Sequence, residues 1–72
     1  MTPGTRIRVT HRSVWPERVG CEGVVVTPRA DGVYPQPCPW EVLILLDDDP
    51  LRYDGSPEWW TCVIGRRDVE VA

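Results

Sequence analysis

The chain has 72 residues, of which 42% are hydrophobic, and a formal net charge of −3. A chain of this length forms one domain with a thin core, which leaves no room for a deep catalytic cleft. No segment approaches the roughly 18 consecutive apolar residues of a membrane-spanning helix, and the N-terminus lacks the apolar core of a signal peptide. We therefore expect one soluble, cytoplasmic domain over 1–72, in which Cys21, Cys38 and Cys62 stay reduced.

Residue usage and charge are unevenly distributed. The chain contains no Lys, Asn or Phe but eight Arg, eight Pro and eleven Val, a bias that indicates a GC-rich genome such as that of an actinobacterium or one of its phages. Residues 1–30 carry five Arg against two Glu, a charge of +3, whereas residues 31–72 carry three Arg against nine acids, a charge of −6. Phosphate contacts supply much of the affinity for nucleic acids, so binders of that class usually have a basic excess, which the whole chain lacks.

The first predicted strand covers Thr5–Thr10, where polar and apolar residues alternate. This alternation is typical of a half-buried strand and directs Ile7 and Val9 toward the core and both arginines toward solvent. Residues 11–19 are predicted to form a polar loop, because Pro16 does not fit a continuing strand.

A turn over 20–23 leads into the second predicted strand, Val24–Thr27. If the preceding glutamate faces water, Gly23 and Val25 face the core. The third segment, 28–39, is predicted to be a long loop because it contains four prolines and an Asp-Gly turn signal.

The longest apolar run, 40–47, predicts the central strand of an all-β domain. A helix is the competing interpretation, but Pro39 and Pro50 leave only about ten residues and no capping pattern fits. Alternation places four residues on the core face: Trp40, Val42, Ile44 and Leu46. The opposite, wetter face carries Glu41, Leu43, Leu45 and Asp47.

The last third of the chain predicts two further strands. Residues 48–58 form a second long loop, and 59–64 form the fourth strand, with Trp60, Cys62 and Ile64 inward. Residues 65–68 are too few for an α-helix and suit one 3₁₀ turn, which precedes a short closing strand over 69–71.

Three short motifs are similar to those of small bacterial barrels. Gly4–Val9 resembles their opening G-x-x-V-x-V strand, Gly20–Val25 resembles their G-x-x-G-x-V turn and second strand, and Arg67–Glu70 resembles their closing D-L-E-type segment. Together these motifs resemble the SH3-like barrel superfamily, and its KOW-type members in particular. The resemblance implies a single five-stranded, all-β SH3-like barrel, and KOW-type barrels of ribosomal and elongation proteins suggest RNA or polymerase contact.

Apolar residues on outward positions are the most informative functional feature. They fall on three consecutive strands that are neighbours in an antiparallel meander, and they are Val24, Val26, Leu43, Leu45, Trp59 and Val63. A contiguous exposed apolar patch usually marks an interface. In the alternative interpretation, the 28–39 loop covers this face and makes a second small core.

The acidic run Asp47, Asp48 and Asp49 predicts a negative face that meets a basic partner. An EF-hand calcium loop starting at the first of these fails, because Leu51 stands at its fifth position and Arg52 replaces the required glycine.

Neither a metal nor a catalytic site is predicted. The three cysteines and His11 match the stoichiometry of a zinc site, but no two cysteines have Cys-x-x-Cys spacing. The serines and acids lack the context of a nucleophile, and no phosphate-binding loop is present. We therefore expect no catalytic residue, no metal and no cofactor.

Two functional hypotheses follow. The leading one is a non-enzymatic protein-interaction module that binds a protein partner or a second copy through the outward apolar residues and the acidic loop. The alternative is a KOW-type module that binds nucleic acid, for which the candidate residues are Arg6, Arg8, Arg12 and Arg18.

Overall fold

The computed structural model describes residues 1–28, 36–52, 55 and 61–72. Five strands and two short 3₁₀ turns make up its regular structure. The strands are β1 (Arg6–Val9), β2 (Glu22–Val25), β3 (Glu41–Leu46), β4 (Cys62–Gly65) and β5 (Val69–Val71), and the 3₁₀ turns are Pro16–Arg18 and Arg66–Asp68. The described ranges contain no α-helix, so the all-β prediction is confirmed. None of their helical segments is long and apolar enough to cross a membrane.

The strands form one antiparallel sheet in the order β4-β3-β2-β1-β5. Strands β2, β3 and β4 are consecutive neighbours, as expected of a meander, and β1 pairs with β2 on one side and β5 on the other. The register sets Val24 of β2 directly opposite Leu45 of β3, and Leu43 of β3 directly opposite Val63 of β4.

The core lies on one face of this sheet, which we call the inner face. Its residues occupy alternate strand positions, as the sequence predicts: Ile7, Val9, Val25, Val42, Ile44, Leu46, Cys62, Ile64 and Val69. Ile7 and Ile44 are fully inaccessible to solvent. Because these side chains come from all five strands, the single core requires the whole sheet.

Gly23 permits a close approach between β2 and β3. A Cβ atom at this position would lie 2.5 Å from the carbonyl oxygen of Leu45 and 2.9 Å from the Cα of Leu46. Both are backbone atoms, so no side-chain rotation relieves the clash. The inward orientation predicted for Gly23 is confirmed by its burial.

Several element boundaries differ from the prediction. Strand β2 begins at Glu22, because the reversal occurs at Gly20, whose φ of +88° suits a glycine turn. The 3₁₀ turn at 16–18 was not predicted, although Pro at its start favours it. The predicted turn before β5 is confirmed.

Trp40 was predicted to lie on the inner face of the central strand, and this prediction is wrong. It lies in the turn that precedes β3, where the N–H of Glu41 donates to the carbonyl of Cys38, and 68% of its surface is exposed. The core therefore ends at Val42. Residues 29–35, 53–54 and 56–60, which include the predicted Trp59 and Trp60, lie outside the described residues.

Candidate protein-binding face

The sheet surface opposite the core, the outer face, is charged on its β1 side. Arg6 lies 2.6 Å from Asp47 and 3.9 Å from Glu22, while Arg8 lies 3.5 Å from Glu22 and 3.8 Å from Glu70. These contacts make an alternating series of acid and base across the strands, which we call the charged ladder. All five side chains are substantially exposed, so each pair contributes little to stability.

The strongest contact in the ladder joins Arg6 to Asp47. The guanidinium donates to both carboxylate oxygens, with N···O distances of 3.0 and 2.6 Å. These hydrogen bonds lower the pKa of Asp47 from its ordinary value and raise that of Arg6. The paired geometry holds the end of β3 against β1, two strands away.

The arginines of the nucleic-acid alternative are therefore not a shared basic patch. Arg6 and Arg8 belong to the charged ladder, and Arg18 forms an ion pair with Asp49. Arg12 is exposed in the loop after β1, where its backbone N–H donates to the Thr10 hydroxyl. A phosphate would have to displace a carboxylate from three of the four predicted residues.

The outer face is apolar on its other side, across β2, β3 and β4. Val24 and Leu45 are cross-strand partners, and Val26 and Val63 extend the surface along the sheet. All four are half-buried, and we call them the apolar half of the outer face.

A depression adjoins the apolar half. Its volume is about 410 Å³, and its lining includes Val24, Leu45, Leu46, Asp47 and Arg52. Its lining combines three apolar residues with two of opposite charge, and more of its surface is polar than apolar. This is the composition expected of a site that receives one amphipathic side chain.

Leu43 departs from the sequence prediction. It occupies an outer-face position opposite Val63, but only 2% of its surface is exposed. Pro28 and Pro37, at the described ends of the long loop, line a cavity of about 190 Å³ together with Leu43 and Val26. Pro28 and Pro37 thus lie near this part of the face, and Leu43 is buried rather than exposed to a partner.

Thr61 marks a second buried point on the outer side. It precedes β4, and continuing the β3–β4 register by one residue sets it opposite Leu45. Only 7% of its surface is exposed, and its hydroxyl has no hydrogen-bond partner among the described residues. Buried polar groups normally have partners, so this hydroxyl carries a desolvation cost.

The acidic run after β3 does not form one solvent-facing surface. Asp47 is held by Arg6, and Asp48 is exposed. Asp49 accepts two hydrogen bonds from Arg18, at 3.1 and 2.9 Å, and its side chain is almost buried. The prediction that all three carboxylates face a basic partner is therefore wrong for Asp49.

The Arg18–Asp49 pair, which we call the loop clamp, fastens two loops together. The Arg18 guanidinium also lies 5.7 Å from the centre of the Trp15 ring, and the N–H of Leu51 donates to Asp49 at 3.0 Å. Burial alone would raise the pKa of Asp49, but the hydrogen bonds from Arg18 and Leu51 outweigh it and hold that pKa below 3.8.

The cysteines occupy three different environments. Cys62 is a core residue, Cys21 packs partly buried against that core, and Cys38 is exposed. Burial raises the pKa of Cys62 to about 11, which keeps it a thiol at neutral pH. Over the described ranges, His, Cys, Asp and Glu side chains form no group of three that could hold a metal ion.

Sequence reasoning missed both sets of ion pairs. A usable signal existed for the ladder, because Arg6, Arg8 and Glu22 share outward positions on adjacent strands and carry opposite charges. No signal of this kind existed for the loop clamp, since Arg18 and Asp49 both lie in irregular segments. Charge counts along the sequence therefore predicted separate basic and acidic surfaces. In the structure, arginines of the first half form ion pairs with carboxylates of the second half.

The chain was compared with protein-family models, curated protein sequences and solved structures. These comparisons give no significant match. The function must therefore be inferred from the side chains of the outer face and the loops beside it.

Proposed function

We propose that this chain is a non-enzymatic protein-interaction module built on an SH3-like barrel. It binds a protein partner through the apolar half of the outer face. The pairing of β1 with both β2 and β5 and the 3₁₀ turn before β5 support this choice of barrel.

One observation carries the proposal: the Val24–Leu45 pair lies half-buried on the outer face beside a depression of about 410 Å³. A depression lined by both apolar and charged residues can receive an anchoring side chain, and such anchors supply most of the binding energy at protein interfaces. Asp47 and Asp48 stand beside this surface, so a partner with an apolar centre and a basic rim is the best match.

The charged ladder argues against nucleic acid as the main partner. Polyanion binding relies on arginines that are free to neutralise phosphates, whereas Arg6 and Arg8 already have carboxylate partners. The residue usage supports a GC-rich actinobacterial or phage source, in which the module would bind a host factor in the cytoplasm.

The test is affinity capture from a lysate of a GC-rich actinobacterium, with and without nuclease. The wild-type chain should retain one stoichiometric protein after nuclease treatment, and replacing Val24 and Leu45 together by Ser should reduce that retention by at least about tenfold. The double variant Arg8→Ser with Glu22→Ser is the matched control, since it removes an ion pair on the same face outside the apolar half and should retain the partner.

Far-UV circular dichroism and urea denaturation must first show that both double variants are folded. If the folded Val24/Leu45 variant retains the partner as well as the wild-type chain does, the apolar half is not the interface. If retention by the wild-type chain disappears with nuclease, the chain binds nucleic acid and the KOW-type alternative takes its place.

A further inference from the structure

β5 is an edge strand, and its hydrogen bonds to β1 fix which of its main-chain groups face outward. The N–H of Thr10 donates to the carbonyl of Asp68, and the N–H of Ala72 donates to the carbonyl of Arg6. In an antiparallel ladder, the groups of alternate residues bond to the same neighbour, so those of Glu70 also face β1.

The main-chain groups of Val69 and Val71 consequently face the open side of β5. The register agrees, because Val69 and Val71 lie opposite Val9 and Ile7. The N–H of Val9 points away from β5 and donates to the carbonyl of Cys21 in the chain segment before β2. Within the described part of the chain, no strand pairs with this side of β5. The Val69 N–H is the last donor of the preceding 3₁₀ turn, so the outward row consists of the Val69 carbonyl and the N–H and carbonyl of Val71.

The opposite edge of the sheet, β4, is less accessible. Its outward main-chain groups belong to Val63 and Gly65, because the N–H of Arg66 bonds Trp40 and fixes the alternation. A Cβ atom on Gly65 would lie 3.3 Å from the Asp68 carboxylate, so that side chain stands close to the end of β4. The edge of β5 is therefore the better receiver of a new strand.

Side chains on β5 add a chemical preference to the main-chain row. Val71 exposes 68% of its surface although it continues the inner-face positions of Val69. Glu70 points to the outer face, where its exposed carboxylate lies 3.8 Å from the Arg8 guanidinium. An incoming strand would thus meet an apolar neighbour at one position and an acidic neighbour at the next.

We propose that β5 binds an extended segment of a protein partner as a sixth strand, with an apolar residue beside Val71 and Lys or Arg beside Glu70. Strand addition to a sheet edge obtains affinity from main-chain hydrogen bonds and specificity from alternate side chains. A second copy of this chain fits less well. If two β5 strands paired antiparallel over all three residues, Glu70 of one copy would lie directly opposite Glu70 of the other. Like charges directly opposite one another destabilise a strand pair.

This site lies at the other end of the sheet from the apolar half of the outer face. It does not depend on the function proposed above, and the two can be tested separately. Variants at Val24 and Leu45 should leave the β5 edge unchanged, and variants of β5 should leave the apolar half unchanged.

The probe is a synthetic heptapeptide in which Val alternates with Lys, and its matched control has Glu in place of Lys. The peptides are titrated into ¹⁵N-labelled protein while amide hydrogen exchange is followed. The Lys peptide should slow exchange at Val71 by at least about tenfold, because bonded edge amides are protected. The amide of Glu70, which faces β1, should change little.

Two variants sharpen the test. Glu70→Lys keeps every main-chain group and should reverse the preference, so that the Glu peptide binds more tightly than the Lys peptide. Val71→Pro removes one outward N–H without touching the β1 ladder and should weaken the Lys peptide by about five- to tenfold.

Three results would overturn the inference. In the first, saturating Lys peptide leaves exchange at Val71 unchanged. In the second, Glu70→Lys binds the two peptides with the same preference as the wild-type chain. In the third, sedimentation shows a dimer that Val71→Pro dissociates, which would mean that the edge pairs with a second copy.

Discussion

Arg18 and Asp49 are 31 positions apart in the chain but share two hydrogen bonds of 3.1 and 2.9 Å, with side chains only 13% and 9% exposed. This loop clamp joins the 3₁₀ turn before β2 to the segment that follows β3. A charge in such a site is tolerated because its partner is present, so removing either partner leaves the other charge without compensation.

Replacing Arg18 by Ala should lower the free energy of unfolding by about 2 kcal/mol, since Asp49 would lose both guanidinium hydrogen bonds and keep the one from the Leu51 N–H. Urea denaturation at pH 7 measures this loss. The exposed Arg6–Asp47 pair provides the control, and Arg6→Ala should have a clearly smaller effect. Equal losses for the two variants would show that the loop clamp is no stronger than a surface pair.

The loop clamp also predicts acid sensitivity. The pKa of Asp49 lies below 3.8 in the folded state, so the unfolded chain binds more protons in acid. Stability contributed by Asp49 is therefore fully present above its unfolded pKa and is lost as the pH falls through the folded pKa. Urea midpoints measured between pH 6 and 2 should fall less steeply for Asp49→Asn than for the wild-type chain, with part of the slope remaining because the pKa of Asp47 is also lowered.

Gly23→Ala should destabilise the sheet by about 2–3 kcal/mol, because the added methyl group meets backbone atoms of β3 at 2.5 and 2.9 Å. Gly65→Ala is the matched control, since its methyl group would meet only the Asp68 side chain, at 3.3 Å. Thermal or urea unfolding compares the two variants. A Gly23 variant as stable as the Gly65 variant would mean that β2 and β3 can separate without cost.

Leu43 and Leu45 have the same chemistry on the same strand face but differ in exposure. Leu43→Ala should cost about 2–4 kcal/mol of unfolding free energy, as expected for a buried leucine, and Leu45→Ala should cost markedly less. Urea denaturation of both variants measures the two losses of unfolding free energy. If the order were reversed, Leu45 would be the structural residue, and its assignment to an interaction surface would fail.

Two of the three thiols should differ strongly in how fast they react with Ellman's reagent. Cys38 is exposed and should react first, whereas Cys62 is buried and has a pKa of about 11, so only about a thousandth of it is thiolate at pH 8. The Cys38→Ser variant should lose the fast phase, and urea should release the slow one. A fast phase that persists in this variant would show that another thiol is accessible in the folded chain.

Strand alternation predicted the inner face correctly within the described strands, because core positions there must point to one side of the sheet, and it failed at Trp40, which lies before β3 begins. Ile7, Val25 and Ile64 illustrate this, since each is buried where period-two alternation directs it. Leu43 shows the limit of the same reasoning: alternation gives the side of the sheet but does not reveal whether a loop reaches over that side. Pro28 and Pro37 line the same cavity as Leu43, a proximity that proline content alone does not specify.

The candidate site was predicted only in part for a related reason. Charges on regular strands can be paired from sequence once the register is assumed, as Arg8 and Glu22 show. The loop clamp depends on the path of two irregular segments, and no periodicity reports the distance between Arg18 and Asp49. Net charge per segment was therefore a poor guide to which charges reach solvent.

The charged ladder has a consequence for how freely its sequence can change. Glu22 contacts both Arg6 and Arg8, and each arginine has a further carboxylate, in Asp47 or Glu70. Losing any one carboxylate leaves both arginines with another anion nearby, but the contacts that are lost differ in length. Substitution should therefore be tolerated most readily at Glu70, where a single contact of 3.8 Å is lost, and least at Asp47, which accepts two hydrogen bonds from Arg6.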